Sequence, residues 1–310
     1  VMERTVKRIG ELRRAGGVMS DCELEESVRS SAREYVESVY SGERGGRMDN
    51  MIRRLCRAAV PAVRVLRDEF SEGSEFLPVF FELPISGEGG REAARAPEYR
   101  LDDGTRVRIY GTVDRVDSYS DGQDAYIRVT DYKTGERDIK KSDIDEGKNL
   151  QMLLYMKAVS ETDDPGFRAA LGAAPDGRLI PAGIIYAKAG IDDPVTDSED
   201  GSLASAEKEQ RRGGLLTANK AITDRMNQKY IPLSFNKDGS LRASSQSRVF
   251  TEEEYRELDR KTGDAVLYVA REMKNGNISS RPLYGAAHDA KCGYCRFKSF
   301  CRGGFADRKK

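Results

Sequence analysis

Apolar residues recur at helical spacing through the first seventy positions, and at strand spacing for most of the next hundred and twenty. Glu23–Ser41 reads as one helix. Asp49–Phe70 is a clearer one, with Ile52, Leu55, Cys56, Ala59, Val63, Leu66 and Phe70 on a single stripe and Pro61 placed to kink it. Phe76–Leu83 then reads as a strand, followed by a glycine-rich connection through Gly87–Gly90. Arg106–Tyr119 and Ala125–Lys133 read as two more strands, joined across Ser120-Asp121-Gly122-Gln123-Asp124, a turn-forming sequence. Gly147–Val159 has helical periodicity, and Arg178–Lys188 is an apolar strand. Residues 189–214 read as a long polar loop. Thr251–Lys274 reads as a helix, opened by a Thr251/Glu254 capping box and closed by Asn275-Gly276. Leu258, Val266, Val269 and Met273 are its expected inward positions.

This order predicts an α/β fold, a mixed central sheet flanked by helices. The expected organisation is a helical segment over 1–75, a core over 76–190, a loop-rich insertion over 191–250 and a C-terminal helix with a cysteine-rich clamp over 251–310. No internal repeat is present. No run of 18 apolar residues exists, which argues against a membrane span.

Composition changes this picture only locally. Lys+Arg and Asp+Glu both number 52 in 310 residues, so net charge neither favours nor excludes a nucleic-acid partner. The distribution is uneven: Asp192–Glu209 is acidic, whereas residues 291–310 carry seven basic side chains against Asp307 alone. Of five cysteines, Cys292, Cys295 and Cys301 fall within ten residues, which suggests a metal site rather than disulfides. Cys56 lies on an apolar stripe and reads as a small buried hydrophobe. Cys22 has no ligand-like neighbours. His288, the single histidine, is either an ordinary loop side chain or the fourth ligand of a Cys₃His zinc site.

The chemistry concentrates in Gly111-Thr112-Val113-Asp114-Arg115-Val116-Asp117 and Thr130-Asp131-Tyr132-Lys133-Thr134-Gly135. Residues two apart on a strand share a face, so Asp131 and Lys133 point together and Tyr132 points away. With Asp114 from the adjacent strand, the set supplies two carboxylates, a backbone carbonyl from Tyr132 and an ammonium, which suits Mg²⁺. Such an ion polarises a phosphodiester and activates bound water, and Lys133 would orient that water and offset developing charge. The bland alternative makes Asp114 a surface partner of Arg115 or Arg128. An Asp-x-Lys on a strand is, by itself, weak evidence.

In combination these motifs resemble the nuclease domain shared by RecB, AddB and the RecB-like CRISPR-associated exonucleases. The resemblance continues in Gln151 and Tyr155, one helical turn apart, as in the Gln-x-x-x-Tyr helix that follows the lysine in that family. It also continues in Cys292-Gly293-Tyr294-Cys295 with Cys301, similar to the C-terminal cysteine motif of AddB-type domains. It covers nearly the whole chain and implies a restriction-endonuclease-like PD-(D/E)xK fold with catalytic Asp114, Asp131, Lys133, Gln151 and Tyr155. It further implies Mg²⁺ held by Asp114, Asp131 and the Tyr132 carbonyl, with Glu82 as a candidate third carboxylate. Cys292, Cys295 and Cys301 would supply three ligands of a [4Fe–4S] cluster. The implied setting is cytoplasmic, and the implied activity is exonucleolytic cleavage of DNA, single-stranded and fed by a motor, in double-strand-break repair. An AddA-type helicase–nuclease subunit is the implied partner. The family's histidine and fourth cysteine would precede Val1, so the chain is expected to be part of a longer one. A stand-alone RecB-like exonuclease and a non-catalytic zinc-knuckle DNA-binding domain are the competing expectations.

Overall fold

A computed structural model describes residues 2–39, 45–71, 73–133, 138–188, 212–277 and 296–297. Three helices open the chain: α1 (Met2–Arg14), α2 (Asp21–Val39) and α3 (Gly46–Ser71). Helix α2 starts two residues earlier than its apolar pattern suggests, because Ser20 and Glu23 cap it reciprocally. Glu23 Oε2 accepts from the Ser20 amide at 2.8 Å, and Ser20 Oγ accepts from the Glu23 amide at 3.3 Å. Val6, Ile9, Leu24, Val28, Val63, Leu66 and Phe70 form the shared core of these helices. Cys56 packs at its margin, as its stripe position implies. Leu55 does not: it is 62% exposed, because the first turns of α3 project past the other two helices and burial begins near Ala62.

The remaining elements build a mixed sheet. Among the described residues it has seven strands, in the order β2-β1-β5-β6-β7-β8-β9. The strands are β1 (Leu77–Ser86), β2 (Ala94–Arg95), β5 (Gly111–Ser120), β6 (Ala125–Lys133), β7 (Leu179–Lys188), β8 (Gly213–Thr217) and β9 (Val249–Phe250). β1/β5, β5/β6 and β7/β8 are antiparallel, whereas β1/β2, β6/β7 and β8/β9 are parallel. The single strand expected over Arg106–Tyr119 is divided. Its start, β4 (Arg106–Arg108), pairs with β3 (Glu98–Arg100) in a separate hairpin, and the chain then crosses to the main sheet at Gly111. Strand β8 begins at Gly213, inside what the sequence suggests is loop. Its pairing needs Gly214, since a Cβ there would lie 2.2 Å from the Ile184 carbonyl oxygen.

Short helices α4 (Lys141–Asp145), α6 (Pro165–Ala170) and α7 (Lys220–Thr223) join the larger pieces. Helix α5 (Gln151–Ser160) starts later than expected, because Gly147 and Asn149 take positive φ angles of 65° and 54° that a helix cannot continue through. It lies over β6 and β7, burying Met152, Leu153, Met156 and Val159 against Val113, Val116, Ile127 and Val129. Helix α8 (Glu252–Lys274) packs beside it, opened by the expected capping box: the Thr251 and Glu254 side chains accept from one another's amides at 3.1 and 2.9 Å. Leu258 and Val266 are buried, but Val269 and Met273 are 52% and 75% exposed. Charges tether the last turns instead, with Lys274 contacting Asp103 and Thr105 and Arg271 facing Asp102. No described helix is long and apolar enough to cross a membrane.

Candidate active site

The β5–β6 hairpin holds the two aspartates. Its turn is closed by Asp121, whose Oδ1 accepts from the Gln123 and Asp124 amides at 2.9 and 2.8 Å. This fixes a register running from Ser120↔Ala125 to Arg115↔Thr130. Beyond Arg115 the Asp114 side chain takes over from the backbone ladder: its Oδ2 accepts from the Tyr132 amide at 2.7 Å. The Asp114 carboxylate is thereby pinned to the segment between Asp131 and Lys133. Parallel pairing with β7, through Asp131↔Tyr186, Tyr132↔Ala187 and Lys133↔Lys188, keeps that segment extended.

Asp131 is 3% exposed, and Lys133 Nζ lies 2.7 Å from its Oδ2 without the angle of a directed hydrogen bond. Burial pushes the Asp131 carboxyl above its ordinary range. The Lys133 ammonium opposes that rise, and the neighbouring Asp114 carboxylate adds to it. Two adjacent carboxylates with one ammonium leave uncompensated negative charge in a poorly solvated place, which a bound cation would relieve. Among the described residues no group of three or more His, Cys, Asp or Glu is suited to a metal. A two-carboxylate set with a backbone carbonyl still fits Mg²⁺, which retains several waters of its own.

Behind this face the sequence hides a second constellation. Tyr132 points away from Asp131, as alternation requires, into the core of the three N-terminal helices. Its hydroxyl accepts from Arg115 Nη1 at 2.6 Å. Asp117 grips Arg115 at two points, Nε to Oδ1 at 2.8 Å and Nη2 to Oδ2 at 3.0 Å. Arg128 reaches Asp117 at 2.7 Å and Glu69 at 3.0 Å, and Arg212 reaches Glu69 at 2.6 Å. All five side chains are completely buried. Burial opposes ionisation of Glu69, yet the guanidiniums of Arg212, Arg128 and Arg115 hold its carboxyl down to about 2. Arg115 and Arg128 therefore serve Asp117 and Glu69, and the surface ion pair considered for Asp114 is not formed.

Glu82 stands level with Asp114 on the next strand, between the pairs Phe81↔Arg115 and Leu83↔Val113. It is exposed, with φ of 46°, a left-handed conformation costing about 1–3 kcal/mol for a non-glycine residue. Both strands switch faces at this level. Phe81 packs with the N-terminal helices but Leu83 with α5, and Arg115 meets the buried charges but Val113 the α5 core. Gln151 Nε2 donates to the Tyr155 hydroxyl at 2.8 Å, so the expected pairing across one helical turn is present. The Tyr155 ring lies over Gly111: a Cβ there would sit 3.1 Å from it, which explains a glycine three residues before Asp114. Asp114 thus contacts the Tyr132 amide, and Lys133 contacts Asp131 on the residues either side of it. Gln151 and Tyr155 join them through Gly111 rather than by touching a carboxylate. His288, Cys292, Cys295 and Cys301 lie outside the described residues.

Comparison with known proteins agrees with this geometry. Residues 1–302 match the family described as the PD-(D/E)XK nuclease superfamily. The chain is 30% identical over 289 residues to a protein of Clostridium novyi (strain NT) named as an ATP-dependent helicase/deoxyribonuclease subunit, an alignment covering 90% of this chain and 24% of that one. A protein of the same name from Thermoanaerobacter sp. (strain X514) is 29% identical over 268 residues, covering 83% of this chain and 22% of its own length. The chain spans about a quarter of the length of these relatives. With the match running almost end to end and the motif residues gathered at one end of the β5–β6 hairpin, the chain belongs to the PD-(D/E)XK nuclease superfamily.

Proposed function

We propose that this chain is the nuclease domain of an AddB-like protein and hydrolyses DNA phosphodiesters with Mg²⁺. The observation that carries the reading is the contact set of Asp114, the Tyr132 amide, Asp131 and Lys133. Asp114, Asp131 and the Tyr132 carbonyl are the groups that would hold Mg²⁺, and Glu82 is the candidate fourth donor. When bound, the ion polarises the phosphodiester and lowers the pKa of a coordinated water. Lys133, held at the Asp131 carboxylate, would orient that water and offset negative charge on the phosphoryl oxygens in the transition state. Gln151 and Tyr155 would steady the DNA backbone or the Gly111 end of β5. The relatives' name suggests work beside a helicase, so single-stranded DNA is the proposed substrate and an AddA-type subunit the proposed partner, in double-strand-break repair. Cys292, Cys295 and Cys301 are proposed to hold a [4Fe–4S] cluster.

The test is cleavage of end-labelled DNA by the full-length protein in its complex, with any nuclease site of the partner inactivated first. Asp114→Ala, Asp131→Ala and Lys133→Ala should each lower the rate about a thousandfold or more, the loss expected when a group acting on transition-state charge is removed. Near-parental cleavage by Asp131→Ala would overturn the assignment.

A further inference from the structure

Two interactions on opposite faces of the sheet meet in one residue, Tyr132. On the front the Tyr132 amide donates to Asp114 Oδ2. On the back the Tyr132 hydroxyl accepts from Arg115 Nη1 at 2.6 Å, with the guanidinium 5.5 Å from the centre of the same ring. Arg115 is the residue after Asp114. The two strands are therefore tied twice at this level, front by the Asp114 carboxylate and back by the Arg115 guanidinium. Arg115 itself has little freedom: Asp117 holds it at two points, and the Phe70 ring lies 5.0 Å from it on another side.

From this we infer that Arg115 and Tyr132 are positioning residues. Their hydrogen bond fixes Tyr132 from behind, and through the two peptides that flank it the Asp114 carboxylate, held by the Tyr132 amide, and the Tyr132 carbonyl for a divalent cation. The β5/β6 backbone pairing ends at Arg115↔Thr130, one step short of the site. Past that step the side-chain ties do what the ladder does elsewhere. Groups that orient metal ligands from behind are typically worth 10–100-fold in metal affinity. The buried charges also explain why such a tie is rigid. Arg115, Arg128 and Arg212 face Glu69 and Asp117 with no exposed surface on any of the five, so rotating Arg115 would strand a buried charge.

The inference rests on the cation-site reading above, and one experiment separates the two. Mn²⁺ binding to the full-length protein is measured by calorimetry, without DNA, for the parent, Asp131→Asn, Tyr132→Phe and Glu69→Gln. Tyr132→Phe removes one hydroxyl and keeps the ring packing and the backbone carbonyl. Glu69→Gln acts mainly on Arg212 and Arg128, at 2.6 and 3.0 Å, and only through a 3.9 Å approach on Arg115, whose two contacts with Asp117 it leaves in place. Tyr132→Phe should weaken Mn²⁺ binding at the site about tenfold. Glu69→Gln should lose clearly less affinity than Tyr132→Phe although its melting temperature falls further. Parental affinity in Tyr132→Phe overturns the inference, and so does an equal loss in both variants, which would assign the effect to general loosening. A parent that binds no Mn²⁺, or binding indifferent to Asp131→Asn, overturns the cation site itself and this inference with it.

Discussion

Replacing Glu69 by Gln should be among the most damaging single changes in the described structure, though it lies on a helix remote in sequence from the catalytic strands. Glu69 contacts Arg212 at 2.6 Å and Arg128 at 3.0 Å, and none of the three is exposed. Gln keeps the shape and one acceptor but removes the charge, leaving three buried guanidiniums against Asp117 alone. Removing one partner of a buried pair costs about 3–5 kcal/mol, because the remaining charge cannot recover its hydration. At about 2 °C per kcal/mol, suited to a chain longer than 250 residues, the melting temperature should fall by about 6–10 °C. Asp264→Ala is the control: its pair with Arg260 is equally short but both side chains are about 60% exposed and screened by solvent, so the melting temperature should hardly move. Acid gives an independent check. The Glu69 carboxyl is depressed from 4.5 to about 2, so it contributes stability that is complete above its unfolded value and lost as pH falls from about 4.5 toward 2. That shift corresponds to about 3 kcal/mol. Calorimetric scans between pH 2 and pH 7 should show the acid loss diminished in Glu69→Gln. A melting-temperature change no larger than that of Asp264→Ala would refute the reasoning.

Asp131→Asn should raise the melting temperature in metal-free buffer near neutral pH while reducing cleavage about a thousandfold. Its carboxyl holds a proton more tightly folded than unfolded, so the charged form destabilises the fold and protonation on acidification restores stability; equal or lower melting temperature would contradict this. Gln151→Ala should slow cleavage more than it weakens DNA binding, whereas a change in thermal stability alone would make the Gln151–Tyr155 pair a packing feature. Cys301→Ala in the full-length protein, purified without air, should abolish visible absorbance and weaken DNA binding before it alters cleavage; a colourless parent holding one zinc that is lost on His288→Ala would replace the cluster by a Cys₃His site.

The sheet was legible where alternation and turn chemistry agreed. β6 matches its expected span because Asp121 and Gly122 make a turn and every residue from Ala125 to Asp131 but Tyr126 is buried. The pattern misled where burial came from something other than an apolar neighbour. β8 is short and starts on two glycines, which single-chain propensity reads as loop, and the close approach of β7 requires the second of them, Gly214. Arg106–Tyr119 looked continuous because the alternation survives a change of partner: β4 and β5 are each amphipathic but belong to different sheets. Val269 and Met273 keep the helical period of α8 into turns where, among the described residues, charged contacts rather than apolar burial hold the helix.

The Asp114 half of Gly111–Asp117, proposed to be catalytic, is legible from chemistry. Arg115 enters the sequence reading only as an alternative surface partner of Asp114 and Asp117 has no task there, although the same alternation rule applies to both. Arg115 and Asp117 are two apart on a strand and so share a face, and that face is opposite the one Asp114 needs for Asp131. An Arg and an Asp on the covered face of a sheet must find partners there, because neither can be left ionised and alone in a core. Arg128, the register partner of Asp117 across the hairpin, lies within reach of the turn pattern. Glu69, however, comes from 46 residues before Arg115 and Arg212, which contacts Glu69, from 97 after it, distances at which sequence pattern carries no pairing information. One surplus positive charge results among the five described members, directly behind a front face where Asp114 and Asp131 outnumber Lys133 by one. The two imbalances have opposite sign and lie on opposite faces of the same two strands. Each therefore lowers the cost of the other in a way that neither motif half, taken alone, would reveal.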